Sequence, residues 1–349
     1  MANIFDLVNA TEIGTYYTNN PSNSIPYLGA TLFPSKKQLG LDLSWIKGGN
    51  GLPVALMPSA FDTKATVRDR VGFSKIETEM PFFREAMRIG EKDRQEINKV
   101  AGASNSEYIM PIIQKIYDDV NTLIQGAEVN NERMRMQLLS TGKISITANR
   151  VNYDYDFKFK ETHKETLLTT ARWSDTENST PIQDIMRWQQ VIEDDTGEKP
   201  IRAICSLKTW NYLITNKSIR LDLNPIGGQN IIITDAMIKQ YLQTKLGLNV
   251  AVYNKKYALQ EGTTHQFFID EVFTLIPEGN LGNTYYGTTP EESDLMSGNT
   301  DAQVQIVNSG VAVTTVKIPH PVNVETIVSE IALPSFERID NIFIATVHA

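Results

Sequence analysis

What the 349-residue chain lacks narrows its function first. It has one cysteine, Cys205, so no internal disulfide forms and the paired cysteines of a zinc ribbon are missing, which points to a reducing compartment. Its four histidines, His163, His265, His320 and His348, are scattered, with no HExxH or similar spacing for a metal. Basic residues are not in excess: 33 Lys and Arg stand against 41 Asp and Glu, a net charge of −8. Sequence-reading nucleic-acid binders concentrate cations to neutralise phosphates. The charge therefore argues against a gripping contact with nucleic acid and is compatible with a wall that encloses it. No apolar run approaches the ~20 residues of a membrane span. The opening MANIFDLVNATEIGTYY has no basic stretch ahead of a long apolar core, so a chain made and kept in the cytosol is expected.

Active-site signals are equally sparse. Neither GxxxxGK[ST] nor GxGxxG occurs, and Gly227-Gly228 in NPIGGQN follows no strand directly, so it reads as a loop. Glu193-Asp194-Asp195 has the hard oxygens a Mg²⁺ ion prefers but no partner carboxylate cluster, and reads as a solvated helix end. Arg88, Lys92, Arg94 and Lys99 are interleaved with acids, which makes a mixed surface and not a phosphate-binding stripe. Trp45, Trp173, Trp188 and Trp210 have no basic stripe beside them and read as core or interface anchors. Cys205 ends an expected buried strand just before a helix, where a nucleophile gains from the helix dipole, but free cysteine is among the most often buried residues and core packing is the favoured reading. No catalytic, cofactor-binding or metal-binding residue is therefore expected, and the rival of a different class is an α/β enzyme using Cys205.

What the chain does have is 41% hydrophobic residues, enough for a sizeable core, in an uneven arrangement. Residues 1–35 are cut by Pro21, Pro26 and Pro34 and read as a weakly structured arm. Leu39, Leu41, Leu43 and Trp45 alternate with polar residues as one strand face. Residues 52–90 mix strand-like stretches with Pro53, Pro58 and Gly72 and read as a two-stranded excursion, which needs contacts outside itself. From Tyr108 to about Leu139 the positions Ile109, Ile112, Ile116, Val120, Leu123, Ala127 and Met134 keep helical spacing. At ~1.5 Å per residue that helix is roughly 45 Å long. KISITANRVNYDYDFKFK then alternates as two strand segments. A small α/β domain follows, with a helix from Pro181 to Ile192, a strand IRAIC, Ser206 as a helix N-cap, a helix starting at Thr234 or Asp235, and a strand NVAVYN. Residues 220–230 read as a polar loop and 277–308 as irregular. Strands return at 310–319, 324–334 and 339–347. An arm, an excursion and an overlong helix expose more surface than one subunit can cover, which points to contact among many copies.

The order of TLFPSKK with GLDLSW, VRDRVGFSKIETEMPFF, ARWSDTENSTPIQDIMRW, PIRAICSLKTWNYL and IVSEIALPSFERIDNIFIATV resembles the major capsid proteins of tailed double-stranded DNA phages, of the lambda-type E family. The resemblance implies an α+β fold like that of the Hong Kong 97 phage capsid: an N-terminal arm at 1–37, an extended loop at 38–85, a peripheral domain at 86–180 with a spine helix 107–140, an axial domain at 181–305, and peripheral strands at 306–349. It implies a virion shell of hexamers and pentamers, assembled in the host bacterial cytoplasm with scaffolding and portal proteins and in some relatives a decoration protein. The shell encloses double-stranded DNA without sequence-specific binding, expands from a precursor on packaging, and needs no cofactor and no membrane. Leu39, Leu41, Leu43, Trp45, Arg68 and Arg70 would make subunit contacts from the extended loop, and Ile112, Ile116, Val120 and Leu123 would line the spine helix. An encapsulin-like compartment shell of the same fold is the alternative. No cleavage site or crosslinking motif is evident, and Lys64 and Lys75 read as solvated.

Overall fold

The computed structural model describes residues 9–20, 23, 25–47, 74–92, 95, 106–148, 151–226, 232–259, 262–298, 302–320 and 322–348. Contacts divide the chain into two units, one from residues 1–44, 77–133 and 283–335 and the other from 45–76, 134–282 and 336–349.

The first unit is built on one long strand. β-branched residues dominate VNVETIVSEIALP, the strand Val322–Pro334, as expected of a pleated, half-buried segment. The first strands in the chain are β1 (Ser35–Lys37), β2 (Asp42–Lys47), β3 (Ser74–Glu79) and β4 (Phe82–Ile89), of which β2 and β3 are divided between the two units, and this unit later takes β13 (Thr284–Tyr286), β14 (Gln303–Val307), β15 (Val311–Pro319) and β16 (Val322–Pro334). The sheet order is β1-β13-β16-β15-β14, with β4 also on β16. β15 and β4 both run antiparallel to β16, with Ala312 opposite Ser329 and Phe82 opposite Ile331. β2 and β3 form a separate two-stranded ribbon.

The arm differs from its expected weak structure. Asn9 accepts from the Glu12 N–H at 2.9 Å and starts a helix, α1 (Ala10–Asn19). Ala10, Ile13, Gly14 and Tyr17 share one face of it and are buried. A short helix, α2 (Leu28–Leu32), and the long helix α3 (Ser106–Thr141) follow. The α1 face joins Val120, Ile124 and Ala127 of α3 and Val307, Val311, Val313 and Val328 of the sheet in one cluster. The prolines that argued for weak structure, at 21, 26 and 34, all lie beyond the end of α1 at Asn19 and so do not interrupt it.

Gly287 marks a close approach in this unit. A Cβ there would lie 2.7 Å from the Gly40 carbonyl oxygen and 2.8 Å from Ile331, with backbone on one side. Gly287→Ala is expected to destabilise the chain by ~1–3 kcal/mol, the usual cost of overpacking, read as a lowered denaturant midpoint. An unchanged midpoint would show that β13 and residue 40 move apart freely. Gly40 itself has φ +87°, which kinks the chain. The strand expected from Leu39 therefore begins only at Asp42.

The second unit contains the ribbon β5 (Lys143–Ala148) and β6 (Val151–Asp156), and a sheet of β7 (Lys164–Thr166), β8 (Arg202–Cys205), β9 (Asn249–Val252), β12 (Val272–Ile276) and β17 (Phe343–Thr346) in the order β7-β17-β12-β8-β9. A short ribbon, β10 (Lys256–Ala258) with β11 (Thr264–Gln266), precedes β12. The helices are α4 (Pro181–Thr196), α5 (Leu207–Thr215), α6 (Lys217–Leu223) and α7 (Asp235–Leu246). β8 and β9 are parallel, joined through α5, α6 and α7. Ser206 accepts from the Thr209 N–H and Thr234 from the Met237 N–H, so both expected caps form.

The core centres on stacked aromatics. Trp173 and Trp188 lie with centroids 5.6 Å apart, Trp188 and Phe343 5.5 Å, and Trp173 and Phe273 5.1 Å. The Trp173 indole N–H donates to Asp184 and that of Trp188 to Glu165, so neither buried ring leaves its polar atom unmet.

Three expectations are corrected here. Residues 217–223 are helical where a loop at 220–230 was expected, because Asn216 caps the Ser218 and Ile219 N–H groups and Ile219 is fully buried. The stretch 277–308 holds β13, the helix α8 (Pro290–Ser297) and β14. Thr289 caps α8, Pro290 occupies its first turn and Gly298 ends it at φ +70°. The C-terminal strand β17, expected among the peripheral strands, pairs with β7 of the expected peripheral segment but also with β12 of the expected axial segment.

Candidate functional site

No cluster of chemistry emerges among the described residues. Cys205 is fully buried within the aromatic core, and burial pushes its thiol well above the usual cysteine range. A thiol so placed is a poor nucleophile, which removes the physical basis of the Cys205 enzyme reading. Asp195, in the expected solvated acid run, is engaged by Lys160 at 2.6 Å, and that contact holds its carboxyl below the usual range. Among the described residues no group of three His, Cys, Asp or Glu side chains is set to hold a metal ion, and no helix is long and apolar enough to cross a membrane. His348 bonds Ser174 at 2.6 Å, and His265 stacks on Tyr257.

The surface is more informative than the interior. Of the four residues expected to make subunit contacts from one strand face, Leu39 is 73% exposed and Leu41 is 45% exposed. Leu43 and Trp45 are buried by this chain itself, Trp45 with its ring 5.4 Å from Phe157. The even spacing that put all four on one face fails because the strand starts after Gly40, and only Leu39 and Leu41 are free to meet another molecule. Arg68, Arg70 and Lys64 lie outside the described residues, as does the side chain of Lys75.

The α3 positions serve the interior of the chain. Val120 is buried, and Ile116 and Leu123 are half-buried against the cluster that also holds Ile124 and Ala127. The side chain of Ile112 lies outside the described residues.

Sequence reasoning missed a second exposed apolar pair. Ile226 is 99% exposed and Ile232 is 86% exposed, at the two ends of residues 227–231. The available signal was compositional: LNPIGGQNIIIT, residues 223–234, carries no charge between Asp222 and Asp235. Isolated apolar residues on a surface are ordinary, but two almost wholly solvated isoleucines in a charge-free stretch are candidates for contact with another molecule.

In the first unit, ion pairs link β1, β4, α8 and the sheet. Lys37 meets Glu292 at 2.5 Å, Arg88 meets Glu325 at 3.0 Å, and Arg84 pairs with Glu291, which also accepts from Ser329. Partly exposed pairs of this kind contribute little each, and their role here is to hold α8 and β4 against the sheet.

Comparison with families of known proteins matches residues 9–347 to phage major capsid protein E. Two solved structures are similar over nearly the whole chain. One is a phage-related protein of Bordetella bronchiseptica RB50, at 15% identity and TM-score 0.58, covering 99% of this chain and 98% of that one. The other is a prophage protein of E. coli CFT073 described as a capsid protein, at 16% identity and TM-score 0.60, covering 98% of this chain and 99% of that one. At such identities the likeness shows the fold. No curated protein matches the chain.

Proposed function

Because the chain belongs to the phage major capsid protein E family, and so is a structural subunit of a virion shell with a Hong Kong 97-like α+β fold, we propose how its surfaces close that shell. The observation that carries the reading is the family match over residues 9–347, nearly the whole chain.

In this reading the segment 38–85 reaches across a neighbouring subunit and sets Leu39 and Leu41 into apolar contact with it. A fully buried leucine contributes about 1.5–3 kcal/mol. Each contact needs only that much, since every subunit is held by several neighbours at once and the contacts act multivalently. The α/β unit gathers around the centres of hexamers and pentamers, with Ile226 and Ile232 meeting their counterparts. A short charge-free tip suits contact at two curvatures, because apolar burial has no fixed direction to satisfy.

The net charge of −8 fits a wall that double-stranded DNA must slide along and leave, since a basic lining would hold it by counterion release. Assembly in the host cytoplasm around a scaffolding protein, closure on a portal, later expansion and an optional decoration protein complete the proposal, and rest on family likeness.

The substitution that tests it is Leu39→Asp with Leu41→Asp. Leu39 is mostly and Leu41 about half solvated in the single chain, so folding should change little, which a thermal melt checks, while the yield of closed particles falls about tenfold, as expected from ~1.4 kcal/mol per contact. Undiminished particle yield would remove these two residues from the interface.

A further inference from the structure

A buried histidine of the second unit is not among the exposed residues assigned above to subunit contact. The 3₁₀ turn Glu161–His163 leads directly into β7, and the 3₁₀ turn Ile339–Asn341 leads toward β17; α4 packs against both. His163 is 1% exposed. Its Nε2 lies 3.2 Å from Asp195 Oδ2 in the last turn of α4, and its Nδ1 is buried with no hydrogen-bond partner. Lys160, which opens the turn, donates from Nζ to the same Asp195 oxygen at 2.6 Å and stands 3.7 Å from Asp340 Oδ1, which is buried and accepts no hydrogen bond.

The other charges on the packed elements are turned elsewhere. Glu161 faces Lys164 at 3.4 Å, Glu165 of β7 takes Arg187 and the Trp188 N–H, and Glu193 and Asp194 of α4 are exposed. A neutral imidazole suits this site, with Nε2–H donating to Asp195. An imidazolium would add a second N–H, at Nδ1, in a place that offers it no acceptor. Burying that donor unmet is what the fold avoids while the ring is uncharged.

We propose that this turn is an acid-released clasp: uncharged His163 holds Glu161–Thr166 against α4 at neutral pH, and its protonation frees that segment and loosens β7 at the edge of the sheet. Burial holds His163 below the ordinary histidine range, opposed by the nearby carboxylates of Asp195 and Asp340 and aided by the charge of Lys160. With the folded value depressed, the clasp's contribution is complete above the open-state value of ~6.5 and is lost as the pH falls from there through the folded value.

Hydrogen exchange of the full chain at about pH 7.5 and about pH 5.5, corrected for intrinsic rates, reads the release directly. The Leu167 N–H, which donates to Thr346 O at 2.9 Å, and the amides of residues 161–166 are expected to exchange faster at the lower pH, by up to about tenfold, the ceiling set by the open-state value of ~6.5, relative to β8 as the internal reference. His163→Gln keeps a donor for Asp195 and cannot be protonated, so its exchange should show no such difference. Equal protection of the wild-type segment at both pH values overturns the clasp, as does the same acceleration in H163Q. Should H163Q not fold, titration of the His163 ring by NMR decides: an apparent pKa below ~6.5 supports the clasp and one at or above it overturns it.

Discussion

Replacing residues 48–73 by a short turn is expected to leave a folded chain that forms no closed shell. β2 ends at Lys47 and β3 begins at Ser74, the two strands pair, and the Met80 N–H donates to the Leu41 carbonyl at 3.0 Å. That bond places residues 41 and 80 at one end of the ribbon and the ends to be rejoined at the other. The described residues of the two cores all lie outside the stretch, and the α/β sheet and the β16 sheet are both expected to survive its removal. Assembly should not survive. If the excursion supplies about 3 kcal/mol at each subunit contact, its loss lowers that contact's equilibrium constant on the order of a hundredfold, and the deficit recurs around the whole lattice. Light scattering should report monomers or single rings. Closed particles from the shortened chain would sink the assignment of 38–85 to a reach across neighbours.

The largest loss of stability is expected at Trp188. Its ring is fully buried between Trp173 and Phe343, and its indole N–H meets Glu165, which also pairs with Arg187 at 2.6 Å. Trp188→Ala removes an aromatic from the middle of the second unit and leaves a cavity the rigid sheet cannot close, at a cost of about 3–5 kcal/mol. For a unit of this size that corresponds to a fall in melting temperature of roughly 10–15 °C. Trp188→Phe, which retains most of the stacking and gives up the hydrogen bond, should lose less than half as much. A fall of under ~1 kcal/mol for the alanine variant, measured by urea titration, would mean that the aromatic stack repacks and is not the centre of this core.

Much of the fold was legible because the periodic signals were strong. The 36-residue helix α3 kept its three- and four-residue spacing, and Ser206 and Thr234 stood where caps belong. The errors share a physical origin: breakers were read as disorder. The prolines at 21 and 26 lie past the end of α1 at Asn19, and the helix forms ahead of them because Asn9 supplies a cap and burial of Ile13 and Tyr17 outweighs local propensity. Thr289, Pro290 and Gly298 are start and stop signals for α8, yet inside a Gly- and Thr-rich stretch they looked like loop composition.

The assembly surface was legible only in part. Alternation identified Leu39, Leu41, Leu43 and Trp45 as one face, but Gly40 at φ +87° shifts the strand's start, so Leu43 and Trp45 became interior. Ile226 and Ile232 carry no pattern that separates an exposed isoleucine from a core one. Only their setting, a charge-free run between two helices, held a hint. Shell proteins are hard to read this way because their functional residues are ordinary apolar side chains whose partners sit on other copies.

Electron microscopy with light scattering on the purified full-length chain, alone and with a candidate scaffolding protein, tests the central claim most directly. The account predicts closed icosahedral shells, or five- and six-fold rings of the 39.2 kDa subunit that go on to close. A strictly monomeric particle under every condition, with scaffold present, would contradict it.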